Sequence, residues 1–315
     1  MNKTRPRAGH GNGEFFGSRP PELGSLILAI SPRNEAVFRF SPTRSVHASL
    51  IRRLELVNPS VSSKLHDDAV GASSSEHAWT VSPLTGPFGR SGTHLVAIPG
   101  SIYEVRVTAL TTEVVQTLAA SLDPSHPLGA EPLTLEWVPF DVVWERSGWE
   151  SVATYASLQS AARPRRRIGL QFRSPTGFRR VDEGTEVHWP SLCLQGYLRK
   201  WNAFSGLTMP AEATMRYAAN ELTTCHQDLR PESVLLSGHA RMDLAGSTDS
   251  TCQHLGRVGY SQKGVVGSVE WLASGKSPLL LRMVNALVKY SLYCGTGMKT
   301  SLGMGQTVPF DVPAR

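Results

Sequence analysis

Near the end of the chain stands Gly295-Thr-Gly297-Met-Lys-Thr-Ser-Leu-Gly303-Met-Gly305, two Gly-x-Gly pairs bracketing five residues, with Lys299 in their middle. Glycine admits positive φ and lets a second backbone approach closely, so four glycines at this spacing demand a tightly curled segment. An apolar, helix-like run, Leu279 to Tyr293, precedes it and a short strand-like tail follows. The loop is therefore held between regular elements. Successive N–H groups in such a loop can form a concave anion site, and an extended phosphate backbone suits a site of that shape with a lysine in it. A nucleotide-binding P-loop fits less well. Lys299-Thr300 supplies its Lys-Thr pair, but Met298 stands where that motif needs glycine, and the upstream segment reads as helix rather than strand.

The chain has 315 residues, which suggests about two domains with sizeable cores, and its 40% hydrophobic content is that of a globular protein. No apolar run approaches eighteen residues, so no transmembrane helix is expected. The first twenty residues are polar, basic and glycine-rich, without a signal-peptide core. Cys193, Cys225, Cys252 and Cys294 are widely spaced with no Cys-x-x-Cys, which argues against a zinc knuckle and for reduced thiols in a cytoplasmic protein. No cofactor and no metal site are expected. The net charge is +6, and 25 of the 32 basic residues are arginine, the residue that grips phosphate in a bidentate fork. Codon bias in a GC-rich genome would give the same excess. Arg163, Arg165, Arg166 and Arg167 nevertheless fall together, with Arg179-Arg180 shortly after, and a basic cluster beside an extended segment suits RNA.

Residues 1–22 read as a disordered basic lead. Leu26 to Ile30 is an apolar run of strand length, and Val46, Leu50 and Leu54 recur every four residues as one face of a helix. Asn58 is a natural N-cap and Pro59 a natural first helical residue. Strands are expected around 79–83, 94–98 and 102–108, then a helix carrying Val114, Leu118 and Leu122, then extended structure from Leu133 to Trp144. This strand–helix–strand–strand–helix–strand succession is the ferredoxin-like order. Ala161 to Arg167 reads as a link into a second half. There a strand at 168–173, helices at 190–204 and 209–222, strands near 231–237, 252–260 and 265–272, and a helix at 278–292 are expected before the glycine-rich loop.

The doubled glycine pattern, with a basic residue inside, resembles the C-terminal signature of the CRISPR-associated RAMP proteins, and most closely their repeat-processing endoribonucleases, the sixth CRISPR-associated (Cas) protein family. Thr296 departs from the hydrophobic residue usual within the first pair. Asn58-Pro59, Leu65-His66, Ser82-Pro83-Leu84, Phe172-Arg-Ser-Pro-Thr-Gly-Phe178 and the helix ending in Trp201-Asn202 also resemble that family, over about residues 23–308. The resemblance implies an α+β fold of two tandem ferredoxin-like (RRM-like) domains: 23–160, carrying a catalytic histidine, and 161–315, carrying the RNA-binding loop. It also implies contact with RNA through Gly295, Gly297, Lys299, Gly303 and Gly305; Arg165, Arg166 and Arg167 are further candidate RNA contacts by their clustering.

RNA cleaves itself when its 2′-hydroxyl is deprotonated and the leaving 5′-oxygen is protonated, and histidine suits either role near neutral pH. His66, after Pro59, matches the family's catalytic histidine by resemblance. Read without the family it is a polar residue favourable at a helix C-terminus. His47, on the preceding helix, is the second candidate. Lys64 is two residues from His66 and so on another helix face, and Arg52 and Arg53 are further cations. Where some family members carry a tyrosine on the first helix, this chain has Ile51, and residues 67–78 lack the lysine that completes their site. His77 is a substitute candidate, and Asp67-Asp68 can orient a histidine or repel phosphate. Tyr103, Trp149, Tyr197 and Trp201 are candidate base-stacking aromatics, the last two at helical spacing better suited to a core.

Three functions follow. The first is a metal-independent endoribonuclease cutting CRISPR repeat RNA into guide RNAs with 2′,3′-cyclic phosphate ends. The second is an inactive RAMP protein holding the repeat-derived end of a guide RNA in an effector complex. The third is an unrelated enzyme whose glycine loop is fortuitous. The expected partners are repeat or guide RNA and no membrane, with other Cas proteins and a homodimer left open.

Overall fold

The computed structural model describes residues 20–67, 76–178, 188–238 and 258–312. Most of the expected basic lead, Arg179-Arg180, Asp68, His239, Cys252 and His254 lie outside these residues, as does the side chain of Asp67. Glu22, at the end of that lead, is tied in: its amide donates to the Ala153 carbonyl and its carboxylate accepts from the Tyr155 amide.

The N-terminal half runs β1 (Leu23–Pro32), β2 (Ala36–Phe38), α1 (Thr43–Val57), α2 (Pro59–Asp67), β3 (Trp79–Val81), β4 (Gly89–Ser91), β5 (His94–Ala97), β6 (Tyr103–Ala109), α3 (Thr112–Ser121), α4 (Pro127–Ala130), β7 (Leu133–Leu135), β8 (Val138–Val142), β9 (Gly148–Ala153) and α5 (Tyr155–Ala161). Its main sheet has the order β3-β6-β1-β8-β7. β9 also pairs β1, over Leu23–Ile27, on the edge that β8 takes up at Ile30–Pro32. Every pairing is antiparallel, and β8 with β9 together play the fourth strand of a ferredoxin-like sheet. β2, β5 and β4 form a small separate sheet. The helices start where capping chemistry dictates. Asn58 Oδ1 accepts from the Val61 amide, Thr111 caps α3 through the Val114 amide, and Thr154 and Ser157 form a reciprocal capping box on α5.

The C-terminal half runs β10 (Arg167–Thr176), α6 (Trp189–Phe204), α7 (Ala211–Glu221), β11 (Leu222–Gly238), β12 (Val258–Ala273), α8 (Pro278–Cys294), a 3₁₀ turn (Thr300–Leu302) and β13 (Thr307–Phe310). Its sheet order β11-β12-β10-β13 repeats the ferredoxin-like arrangement, so the fold is α+β with two such units in tandem. One expectation needs correction. The sequence suggested three short strands between 231 and 272, whereas β11 and β12 are single strands of 17 and 16 residues in one long hairpin. The polar stretch Thr223–Arg230 carries no apolar alternation. It is extended because its backbone pairs with β12 from Thr224↔Trp271 to Arg230↔Val266.

Two cores result. The first gathers Leu28, Ile30, Val46, Leu50, Leu54, Trp79, Val105 and Val107 between the sheet and α1 and α3. The second gathers Leu170, Phe172, Leu194, Tyr197, Trp201, Trp271, Leu287 and Tyr290, and also takes Leu23, Leu110 and Tyr155 from the N-terminal side. The Tyr155 ring stands edge-on to Trp201 at 4.9 Å, and its hydroxyl donates to the Leu110 carbonyl, joining the halves through buried apolar surface. No helix among the described residues is long and apolar enough to cross a membrane.

Candidate RNA-processing site

The glycine-rich loop is built by the end of α8. Three successive carbonyls there receive buried or half-buried donors: Leu292 from Arg106 Nη2 at 2.6 Å, Tyr293 from Thr108 Oγ1 at 2.5 Å, and Cys294 from Lys200 Nζ at 2.6 Å. Terminal helix carbonyls lack partners of their own and carry the negative end of the dipole, so two cations and a hydroxyl are well matched to them. Arg106 and Thr108 belong to β6 of the first half. The loop's root is therefore pinned across the junction between the halves.

From that root all four glycines take positive φ, +64° at Gly295, +78° at Gly297, +92° at Gly303 and +69° at Gly305, and Lys299 joins them at +55°. The reason is close packing. A Cβ on Gly305 would lie 2.0 Å from the Thr296 carbonyl oxygen, and one on Gly297 would lie 2.3 Å from that of Gly177. The sequence suggested amides free to hold an anion. Six of them are instead donated inward: Thr296 to Gly305, Met298 to Gly177, Leu302 and Met304 to Lys299, Gly303 to Val81, and Gly305 to Pro175. Gly297, Met298, Lys299 and Leu302 are the partly exposed residues of the loop, and Lys299 is its one charged side chain. Its Nζ donates to Gln262 Oε1 at 2.6 Å and lies 4.5 Å from the centre of the Tyr260 ring, so β12 holds the charge against the loop.

Gly303 reaches the first half twice, through its bond to Val81 on β3 and its contact with Thr43 at the start of α1. One turn along α1 from Thr43 is His47, packed on Trp79 of β3 with ring centroids 4.9 Å apart. Folding thus brings the loop and His47, the second candidate histidine, into one seam. His47 is only 7% exposed, and its Nε2 has no hydrogen-bond partner among the described residues. Burial, and then the charges of His77, His66 and Arg44, lower its pKa from the ordinary histidine value to about 4. His47 is therefore held neutral at pH 7. His66 and His77, on and after α2, are near enough for their charges to act on His47. His66 is exposed at the last turn of α2, reachable by a large substrate.

Other candidates are placed elsewhere. Lys64 turns away into an exposed ion pair with Glu113 at 3.2 Å. Ile51 is a core residue, and Arg53 donates to the Glu131 carbonyl. Arg165, Arg166 and Arg167 sit at the start of β10, while the loop packs beside Pro175 and Gly177 at its far end, about 30 Å away for a strand of this length. Arg165 pairs with Asp311, and Arg167 with Glu270 at 3.7 Å. The arginine cluster and the glycine-rich loop are thus not one surface. Tyr103, Tyr197 and Trp201 are buried and cannot stack on a base, and Trp149 lies over Gly24. The sequence carried no signal for Lys200 or Arg106 as supports of the loop, because each is an isolated cation whose partner is a distant carbonyl. Among the described residues no group of three or more His, Cys, Asp or Glu could hold a metal.

Residues 170–307 match the family model described as CRISPR-associated endoribonuclease Cas6. No curated protein matches the chain. A solved Cas6 product complex superposes with a TM-score of 0.66 at 20% identity, covering 91% of this chain and 100% of that one. Cas6 from Thermus thermophilus does so with 0.58 at 18% identity, covering 93% and 100%, and a RAMP protein described as binding different RNA substrates with 0.56 at 12% identity, covering 91% and 100%. Over residues 170–307 the chain is thus similar in sequence to Cas6, and over nine-tenths of its length it shares the fold of solved Cas6 and RAMP proteins.

Proposed function

We propose that this protein is a metal-independent endoribonuclease that cuts CRISPR repeat RNA to release guide RNAs. The observation that carries the reading is the packing of the glycine-rich loop against Val81 and against Thr43 at the start of α1, the helix that bears His47, with His66 exposed on the next helix. In this reading a histidine takes the proton of the 2′-hydroxyl, whose oxygen attacks the adjacent phosphorus. The bond to the 5′-oxygen breaks, that oxygen takes a proton, and a 2′,3′-cyclic phosphate remains. His66 is assigned as the residue that meets the RNA. His47 is assigned as its neutral partner, lying under the surface. Lys299 is assigned as the charge that holds a phosphate nearby. The solved structures of a Cas6 product complex and of a RAMP protein binding different RNA substrates support an RNA ligand.

The burial of His47 and the core position of Ile51 favour a second reading, an inactive RAMP protein that holds the repeat-derived end of a guide RNA. Incubating the purified protein with end-labelled repeat RNA in EDTA separates the two. Cleavage to a cyclic-phosphate product supports the first, and tight binding without cleavage supports the second. Failure to bind would refute both.

A further inference from the structure

Trp137 is 92% exposed, the most exposed of the chain's large hydrophobic side chains among the described residues. It occupies, with Glu136, the two-residue turn between β7 and β8, where Leu135 pairs with Val138. Both turn residues have positive φ, +46° at Glu136 and +71° at Trp137. Such turns are normally made by Asn-Gly or Asp-Gly, because side chains other than short polar ones are strained there. A tryptophan at this position gains no burial from the fold. Backbone strain together with a large side chain held in water is the pattern of a functional site rather than of a stabilising one.

The turn is also held firmly. β7 and the segment before it lie antiparallel along α1, with a contact at each turn of the helix: Arg53 to the Glu131 carbonyl, the Thr134 amide to Ser49 Oγ at 3.1 Å, and Ser45 Oγ to Glu136 Oε1 at 2.6 Å. The tip is thereby carried to the first turn of α1. At that same end Thr43 meets Gly303 of the glycine-rich loop, and the Ser41 amide donates to the Leu235 carbonyl of β11. The first turn of α1 contains no acidic residue, and Arg44 there lies close enough to His47 to act on its charge. The exposed indole thus stands on the flank of α1 away from His47, at the end of the helix where the loop and the long hairpin gather.

We propose that Trp137 is a stacking platform for an unpaired base of the bound RNA. The proposal rests on the RNA-processing reading above and adds a contact on the far side of α1. An indole face takes any base, so Trp137 contributes affinity and the path of the strand rather than recognition of one sequence. The RNA-processing reading, with Arg44 next to Ser45 and the Glu136 carboxylate engaged by the Ser45 hydroxyl, favours RNA over an apolar protein partner as the occupant.

The test compares wild-type protein with Trp137→Ala and Trp137→Phe, using labelled single-stranded repeat RNA, a salt series, and light scattering for oligomeric state. Trp137→Ala is expected to weaken binding roughly 5- to 150-fold, as loss of one stacked base does, with an unchanged salt slope, melting temperature and oligomeric state. Trp137→Phe is expected to retain most of the affinity. Wild-type affinity in Trp137→Ala overturns the proposal. So does an affinity loss that appears only together with dissociation of an oligomer, which assigns the residue to a protein interface. If wild-type protein binds no RNA, the functional reading itself fails, a result distinct from a silent Trp137 variant of a protein that does bind.

Discussion

Replacing Gly297 by alanine separates packing from phosphate binding in the glycine-rich loop. A Cβ there would lie 2.3 Å from the Gly177 carbonyl oxygen, where ordinary contact begins at 3.4 Å, so two backbone segments must part by about 1 Å. The Met298 amide bond to that carbonyl, 2.9 Å long, is then lost, at a cost of about 1 kcal/mol. The φ of +78° costs an L-residue a further 1–2 kcal/mol or so. The sum is about 2–3 kcal/mol. With an unfolding entropy of about 2.1 cal/mol/K per residue, a 315-residue chain should melt about 3–5 °C lower. Lys299→Ala should behave oppositely. It removes a charge held by Gln262 and Tyr260 and no backbone contact, so the melting temperature should stay near wild type. Affinity should fall by similar factors for different RNAs, and the salt slope should drop by about one. Calorimetry of both variants, with RNA titrations across a salt series, reads the two effects apart. A Gly297→Ala protein that melts with wild type would refute the close-packing argument. Unchanged affinity and salt slope in Lys299→Ala would refute the assignment of that charge to RNA.

Further expectations concern the seam. His66→Ala should lose about 10²–10⁴-fold in cleavage rate while binding RNA nearly normally, and a variant cutting at wild-type rate would remove His66 from the mechanism. His47 has a folded pKa of about 4 against an ordinary value near 6.5, so between these values the unfolded chain binds a proton that the folded chain does not. Stability should therefore fall as pH drops from about 6.5 to about 4, by about 3 kcal/mol from this group, and urea midpoints in His47→Gln should lose that part of the slope. Arg106→Met should strip a donor from the Leu292 carbonyl and the partner of Glu150, destabilising by about 2 kcal/mol. Arg106→Lys should recover part of that loss in a denaturant titration, and full stability in the methionine variant would show the clamp to be idle.

Much of this protein is legible in its sequence because the signals are local. The four-residue recurrence of Val46, Leu50 and Leu54 sets the buried face of α1, and Asn58 with Pro59 starts α2 by capping chemistry that involves only neighbours. The strand and helix order of the first half, and the glycine pattern that carries the family resemblance, are likewise properties of the chain read in one direction. β9 and α5 escaped that reading, since Gly148–Ala153 alternates weakly and α5 spans seven residues. The length of β11 escaped it because a polar strand is held by its partner's backbone rather than by its own apolar face.

What only the tertiary structure decided is where the functional groups stand relative to one another. Spacing made the loop glycines look like a cradle of open amides. Folding spends those amides on Val81, Pro175 and Gly177, residues some 120 to 220 positions away. Sequence named the arginine cluster and the loop as two RNA contacts without relating them, and β10 places them at opposite ends of one strand. His47 is a helix residue like any other until Trp79 packs on it and burial holds it neutral. Lys200 and Arg106 acquire roles only because the end of α8 arrives beside them. Periodicity and capping are settled among residues a few positions apart, whereas burial, charge and proximity depend on which distant segments the folded chain brings into contact.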